Sequence, residues 1–403
     1  MTSGHASQFS AAQAALGYLY QVRSALLWSL RRMKRGSDFQ VSVETVDDVA
    51  FDVSGGDVTD LLQTKHHRTG AGSLTDASPD LWKTLRIWFE GRGRRQIPPT
   101  ANLFIITTSS APAGSAAANL RANPRDVAAA QQRLDAAASS SANQGNATAY
   151  QVYRNAAPEQ RSALLNQIFV IDAAPTIEDL NGELLTEVFW AVDKEHHAAF
   201  LTRLEGWWLR RVIEQLTGDR SDRIASVELD SYMSDLREQF KRESLPIDDD
   251  LLEALDVATI AQYSDYPFVR QLEIIKLGSR LVSFAIQDYY RAFTQRSRWL
   301  REDLVADLDL RKYEARLTDE WSRVFERMRQ DIGDEATDEA KERAAQAVLT
   351  WADNAIIPIR PAVTEPFVSR GSFHMLADDL KIGWHPEFRE RLASLLGVAG
   401  LPK

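Results

Sequence analysis

Glu44, Asp48 and the tripeptide Gln63-Thr64-Lys65 hold the residue types and spacing in this chain that most suggest chemistry. They sit on three consecutive strand-like runs, 39–45, 48–53 and 58–66. Residues i and i+2 of a strand share a face, so Gln63 and Lys65 point the same way. In the second run Asp48, Ala50 and Asp52 alternate with Val49, Phe51 and Val53. The apolar set belongs to the core, so the Asp48 face is expected to look into a cleft or solvent. Asp47, the rival carboxylate, falls on the core face, which favours Asp48.

Two carboxylates, an amide oxygen and an ammonium on adjacent strands are what metal-assisted phosphodiester hydrolysis requires. Mg²⁺ is a hard octahedral cation that takes a few protein oxygens and keeps water and substrate phosphate as its other ligands. Asp48, the side-chain oxygen of Gln63 and the backbone carbonyl of Thr64 could supply that partial shell to Mg²⁺, or to Mn²⁺ in its place. Lys65 could orient the attacking water and offset charge on the phosphate oxygens, with Glu44 beside it. Acidic and basic residues on hairpin strands are also an ordinary solvated face, so the residue types alone leave both readings open.

The elements that must position these residues can be read from periodicity. Residues 9–35 form an amphipathic helix with Leu16, Tyr20, Leu27 and Leu30 at helical spacing, ended by Gly36 and Ser37. Gln21 shares a face with Ala14, Tyr18, Ala25 and Trp28, so its amide projects from an apolar stripe, either to reach solvent or to hydrogen-bond a ligand of the site. The second and third strands join through Ser54-Gly55-Gly56-Asp57, a turn sequence. A helix over 79–90 carries Leu81, Trp82, Leu85, Trp88 and Phe89, and residues 101–108 (ANLFIITT) read as a buried strand.

Residues 109–166, rich in Ala, Ser, Asn and Gln, suggest a solvated helical insertion with a flexible segment near 139–146. A strand at 167–172 follows. Beyond it the pattern is almost wholly helical: 196–216, 226–244, 249–262, 268–296, 299–332 and 335–354, then a Pro-broken stretch over 357–368 and a last helix near 385–396. Trp207, Trp208, Tyr289, Tyr290 and Trp299 read as packing aromatics.

The 403 residues hold 47 Lys and Arg against 57 Asp and Glu, a net charge of −10, with 44% hydrophobic residues and no Cys. That excludes thiol catalysis and thiolate zinc sites. His66 with His67, and His196 with His197, are neighbours whose side chains diverge, and no HExxH occurs. No apolar run is long enough to span a bilayer and no leader-type N-terminus is visible, so the expected location is the cytoplasm, away from membrane. Neither a dinucleotide fingerprint nor a GxxxxGK[ST] loop is present. From Lys65 to Arg95 there are seven basic and three acidic residues, a local basic stretch including Arg92, Arg94 and Arg95 that suits a phosphate backbone despite the acidic total.

The Gln63-x-Lys65 arrangement resembles the PD-(D/E)XK nuclease superfamily, in the branch where Gln replaces the acid of the last element. Taken in order, Gly17-Tyr18-Leu19-Tyr20-Gln21, Glu44 with Asp47-Asp48-Val49, Gln63-Thr64-Lys65-His66-His67 and Leu81-Trp82-Lys83-Thr84 resemble the DNA endonuclease domain of CBASS-type anti-phage effectors. The likeness covers residues 8–190. The phrases at 268–272 (FVRQL), 285–291 (AIQDYYR), 295–299 (QRSRW), 369–374 (SRGSFH) and 383–386 (GWHP) resemble the C-terminal domain of effectors in ABC-ATPase three-component systems. Such systems include the Lamassu family, in which an effector accompanies an SMC-like ABC ATPase and a small middle subunit.

Together these resemblances imply an α+β chain. Residues 1–195 would be a restriction-endonuclease-like domain with a helical insertion, and 196–403 an all-α regulatory and assembly domain. They imply a defence effector that cuts double-stranded DNA when its ATPase partners release or activate it, as a homo-oligomer in its active state. The roles implied are metal ligation by Asp48, Gln63 and Thr64, catalysis by Lys65, Glu44 and Gln21, and DNA contact by Arg92, Arg94 and Arg95. Activation by a cyclic oligonucleotide, and an inactive DNA-binding or scaffold subunit, are the alternatives.

Overall fold

A long amphipathic helix opens the computed structural model, which describes residues 11–36, 38–45, 47–53, 56–66, 72–140, 143–220, 222–333 and 335–396. Phe9, Ser37, Ser54-Gly55, His67 and the middle of the 139–146 segment lie outside the described residues. The chain divides into two compact units, Met1–Asp193 with His197–Ser234, and Lys194–His196 with Asp235–Lys403.

In the first unit α1 (Ala11–Met33) buries Tyr20, Val22, Ala25, Leu26, Leu27 and Leu30. Gly36, at φ 72°, supplies the left-handed turn that ends it. A meander follows: β1 (Gln40–Val43), β2 (Val49–Asp52) and β3 (Val58–Lys65), each antiparallel to the next. Helix α2 (Pro79–Gly93) crosses over to β4 (Asn102–Thr107), which lies parallel to β3. Helices α3 (Ala116–Asn119), α4 (Val127–Ser140), α5 (Ala147–Asn155) and α6 (Pro158–Gln167) precede β5 (Ile168–Ile171), parallel to β4. Then come α7 (Leu180–Glu187), α8 (His197–Thr217) and β6 (Ile224–Ala225). The mixed sheet has the order β5-β4-β3-β2-β1-β6.

One core joins Ala50, Leu61, Leu103, Ile105, Ile168 and Val170 of the sheet to Leu81, Trp82, Leu85 and Trp88 of α2. Fully burying a Leu of this set contributes about 1.5–3 kcal/mol. The helices of 109–166 belong to this core. Ala116, Ala117, Ala130, Leu134 and Ala138 are buried, and Tyr150 and Tyr153 stand edge-on to Trp82 at 4.5 and 5.4 Å. The solvated insertion expected from composition is therefore corrected: small Ala faces let these helices approach closely, and two tyrosines supply the apolar area.

The expected boundary at 195/196 also moves. In α8, Phe200, Leu204, Trp208 and Val212 are buried, and Trp208 Nε1 donates to the Val22 carbonyl of α1 at 2.9 Å. β6 pairs with β1, so residues to Ser234 belong with the sheet. Alternation fails on β2, whose four residues are all buried. Asp52, placed on a cleft or solvent face by sequence, is 1% exposed and ion-paired to Arg223 at 2.7 Å.

Helix α9 (Ser226–Gln239) leads into the second unit, which contains α10 (Val257–Ala261), α11 (Pro267–Ile274), α12 (Ser279–Arg301), α13 (Asp307–Ile332), α14 (Asp338–Asn354), α15 (Pro366–Asp378) and α16 (Phe388–Leu396). The single helix expected over 268–296 is two, broken where Lys276 turns left-handed at φ 56° before Gly278. The Pro-broken stretch over 357–368 runs only into the first turn of α15, which is buried over most of its length. A Cβ on Gly371 of α15 would stand 2.0 Å from the Asp288 carbonyl oxygen and 2.5 Å from the Ala292 Cβ of α12, so only glycine permits this approach. Among the described residues no helix is long and apolar enough to cross a membrane.

Candidate active site

The meander brings the chemically suggestive residues to one edge. Val43 is opposite Val49 and Val49 is opposite Leu62, so Glu44, Asp48 and Gln63 follow side by side on three strands. The Glu44 N–H donates to the Asp48 carbonyl at 3.0 Å. Because β2 begins at Val49, residues 63–65 of β3 extend past it while still pairing with 105–107 of β4. The Thr64 N–H, without a β2 carbonyl, donates instead to Asp48 Oδ2 at 2.7 Å, and Thr64 Oγ1 donates to the same oxygen at 3.0 Å. A cleft of about 370 Å³ opens here, lined by Gln21, Glu44, Asp47, Asp48, Gln63, Thr64, Lys65 and Lys83 among others.

Each side chain is held by specific neighbours. Asp48 receives both of its hydrogen bonds on Oδ2, leaving Oδ1 to the cleft. Asp47 is engaged on both oxygens: Oδ2 accepts from Trp88 Nε1 at 2.7 Å and Oδ1 from the Asp48 N–H at 3.0 Å. Burial pushes Asp47 up to about 7, with the neighbouring Asp48 charge adding to the shift. Asp47 thus acts as a strut between α2 and the start of β2. Glu44 sits at φ 55°, a left-handed conformation that costs a non-glycine residue on the order of 1–3 kcal/mol. Burial and then the Asp48 charge raise its carboxyl, while a hydrogen bond from Gln21 and the Lys65 charge oppose the rise.

Lys65 is half-buried, and burial lowers its ammonium, with Asp48 and Asp80 opposing and Lys83 assisting. Gln21 reaches from α1 to Glu44, which ties the helix stripe to the strand edge. Lys83 on α2 is an exposed second cation at the cleft. Its sequence signal was its place in the basic stretch. The His66 ring lies 4.7 Å from that of Tyr20, tilted by 34°, and its Nε2 accepts the Ile177 N–H at 3.3 Å, a packing role.

The three arginines are placed elsewhere. Arg92 donates to the Ala101 carbonyl at 3.3 Å, just before β4, and Arg94 pairs with Glu90 at 3.3 Å. Arg95, exposed at φ 59°, follows them beyond the end of α2. At 1.5 Å rise per residue they lie about 15 Å along α2 from Lys83.

Among the described residues no three His, Asp or Glu side chains converge as a metal cage. A set of one carboxylate, one amide and one backbone carbonyl is compatible with that finding and suits a hard cation that keeps its waters. A hydrogen-bonded strand residue sends N–H and C=O to the same side, so the Thr64 carbonyl leaves β3 toward Asp48. The donor chemistry fits Mg²⁺.

Residues 268–392 match C-terminal domain 7 of the ABC-three component (ABC-3C) systems. The match covers α11 to α16. It supports a role in anti-phage defence and implies partners within such a system, for example an ATPase. A search of curated proteins finds no match to the chain.

Proposed function

We propose that this chain is the nuclease effector of an ABC-3C defence system, cutting double-stranded DNA by Mg²⁺-dependent phosphodiester hydrolysis under the control of its ATPase partners. The observation that carries this is the convergence of Glu44, Asp48, Gln63, Thr64 and Lys65 at one open edge of the sheet, supported from behind by Gln21. Asp48 Oδ1, the Gln63 amide oxygen and the Thr64 carbonyl would hold the metal. Bound there, Mg²⁺ would supply a polarised phosphoryl oxygen and a more acidic water.

The chain's own groups account for the rest. Glu44 accepts the proton of the attacking water as the new O–P bond forms, and its elevated carboxyl suits it to that exchange. Gln21 fixes the orientation of Glu44. Lys65 offsets charge gathering on the phosphorus oxygens while the P–O bond to the leaving sugar breaks and that oxygen takes a proton from solvent. Lys83 contacts a flanking phosphate, and Arg94 and Arg95 meet the duplex past the C-terminal end of α2. One such site cuts one strand, so a duplex break calls for two copies acting together.

The test is cleavage of supercoiled plasmid by the full chain, alone and with its ATPase partner, in Mg²⁺ against EDTA. Metal-dependent cleavage that Lys65→Ala abolishes is expected. Cleavage surviving Lys65→Ala, or none under any of these conditions, refutes the proposal.

A further inference from the structure

Strand β1 outruns its outer neighbour. β6 pairs only with Gln40 and Val41, so the last residues of β1 have no strand on that side. In an antiparallel ladder successive residues turn their peptide groups to alternate sides. The Glu44 N–H is directed at β2, where the Asp48 carbonyl accepts it at 3.0 Å. The Val43 carbonyl, at the other end of the same planar peptide, therefore points away from β2, to the side that β6 does not reach. Gln215 of α8 fills that place: its Nε2 donates to the Val43 carbonyl at 3.3 Å across 172 residues.

One peptide plane is thus gripped at both ends, and its orientation sets φ at Glu44. That angle is 55°, and a left-handed non-glycine residue persists only where its surroundings hold it. Ser42 and Thr45 bracket the same residue through a hydroxyl contact of 2.6 Å. Gln215 is 7% exposed, and its Oε1 is buried with no hydrogen-bond partner. Burying an amide with its oxygen unsatisfied works against stability, the pattern of a residue kept for what it holds. Helix α8 is itself fixed to α1, by Trp208 on the Val22 carbonyl and by the ion pair of Arg23 with Glu205 at 2.6 Å. From α1, in turn, Gln21 reaches the Glu44 carboxylate.

We propose that Gln215 is a positioning residue for Glu44. By holding the Val43 carbonyl it keeps the peptide from rotating, so Glu44 stays left-handed and its carboxyl is delivered to the cleft, where Gln21 meets it. Without that donor Glu44 relaxes toward extended backbone, and its carboxyl swings off its line to the cleft. The role rests on the nuclease reading of the cleft, but the grip on the peptide can be measured without cleavage.

The test uses Gln215→Met, which nearly matches glutamine in length and volume and removes the donor, in the full chain with and without Glu44→Gln. Hydrogen exchange read by mass spectrometry should show the Glu44 amide exchanging about 2–10-fold faster, the equivalent of one hydrogen bond, with β4 unchanged. Turnover in Mg²⁺-dependent plasmid nicking should fall by about 10–100-fold, the upper figure being what a displacement of about an ångström costs, while plasmid affinity holds. In the Glu44→Gln chain the same substitution should slow residual nicking by less than about twofold, because the group it positions is gone. Equal slowing in both backgrounds, unchanged nicking, or unchanged exchange at Glu44 would overturn the role of Gln215. A parent chain that never nicks overturns the nuclease reading instead, and exchange then decides alone whether Gln215 holds Glu44. Thermal melting confirms folding, and Gln215→Asn, one methylene too short to reach Val43, replaces Gln215→Met if that chain does not fold.

Discussion

Replacing Asp48 separates its two jobs. Its Oδ2 holds the Thr64 N–H and Oγ1, and its Oδ1 faces the cleft. Asp48→Ala leaves the Thr64 N–H with no acceptor where Thr64 is 7% exposed. Stranding a buried donor costs about 1–3 kcal/mol, and the hydroxyl can turn away to recover part of its own loss. Asp48→Asn keeps an oxygen for the Thr64 N–H, so its unfolding free energy should stay within about 1 kcal/mol of the parent chain. Its amide cannot hold Mg²⁺ as a carboxylate does. Outer partners of metal ligands are worth about 10–100-fold, so losing a direct ligand should lower cleavage by at least about 100-fold. Urea unfolding and Mg²⁺-dependent plasmid nicking, run on both variants, give the two readouts. Full nicking by Asp48→Asn removes Asp48 from the metal site. An Asp48→Ala chain as stable as its parent contradicts the role given to the Thr64 bond.

Lys83→Ala should weaken plasmid binding and reduce its salt dependence by about one phosphate contact while urea stability holds, and an unchanged salt slope would place the duplex elsewhere. Charge reversal of Arg94 and Arg95 should flatten the slope further, read in the same titration. Gly371→Ala forces a Cβ to 2.0 Å from the Asp288 carbonyl and should destabilise the second unit by about 1–3 kcal/mol or more in urea. Burial depresses His374 to about 4, so between pH 6.5 and 4 the unfolded chain binds the proton that the folded one refuses. Stability is therefore lost as pH falls through this window, by up to about 3 kcal/mol relative to a His374→Gln chain, which thermal melts from pH 7 to 4 measure.

Local signals carried far along the first part of the chain. Turn residues and alternation located the meander, and the Leu81, Trp82, Leu85, Trp88 stripe located α2. Counting registers from those strands is enough to set Glu44, Asp48 and Gln63 abreast. What escaped depends on contacts distant in sequence. β6 is two residues long and is a strand only because β1 lies beside it. Both faces of β2 are covered, so alternation has no solvent face to report, and Asp52 is tolerated inside because Arg223 arrives from 171 residues away. α15 is buried with Ser369, Ser372 and His374 inside, polar residues that periodicity assigns to the outside, so its burial does not show in its own sequence. The bond between Asp47 and Trp88 joins two elements whose separate patterns say nothing of each other.

The burial of α15 also orders events in time. Gln271 of α11 donates to the Ala377 carbonyl at 2.8 Å across 106 residues, and Trp321 Nε1 donates to the Gly383 carbonyl at 2.9 Å across 62. Helices α11 to α14 therefore leave the ribosome before the element they enclose exists. The sheet of the first unit is complete once β6 has emerged, and at about 5–20 residues per second the remaining chain to Gly383 takes on the order of 10–30 seconds to follow. During that interval a finished sheet with its cleft is tethered to a half-made helical unit whose apolar interior awaits its centre. Newly made chains are thus most exposed to chaperones and proteases between residue 225 and residue 383, and a nascent-chain arrest series across that interval would show protection of the first unit appearing well before that of the second.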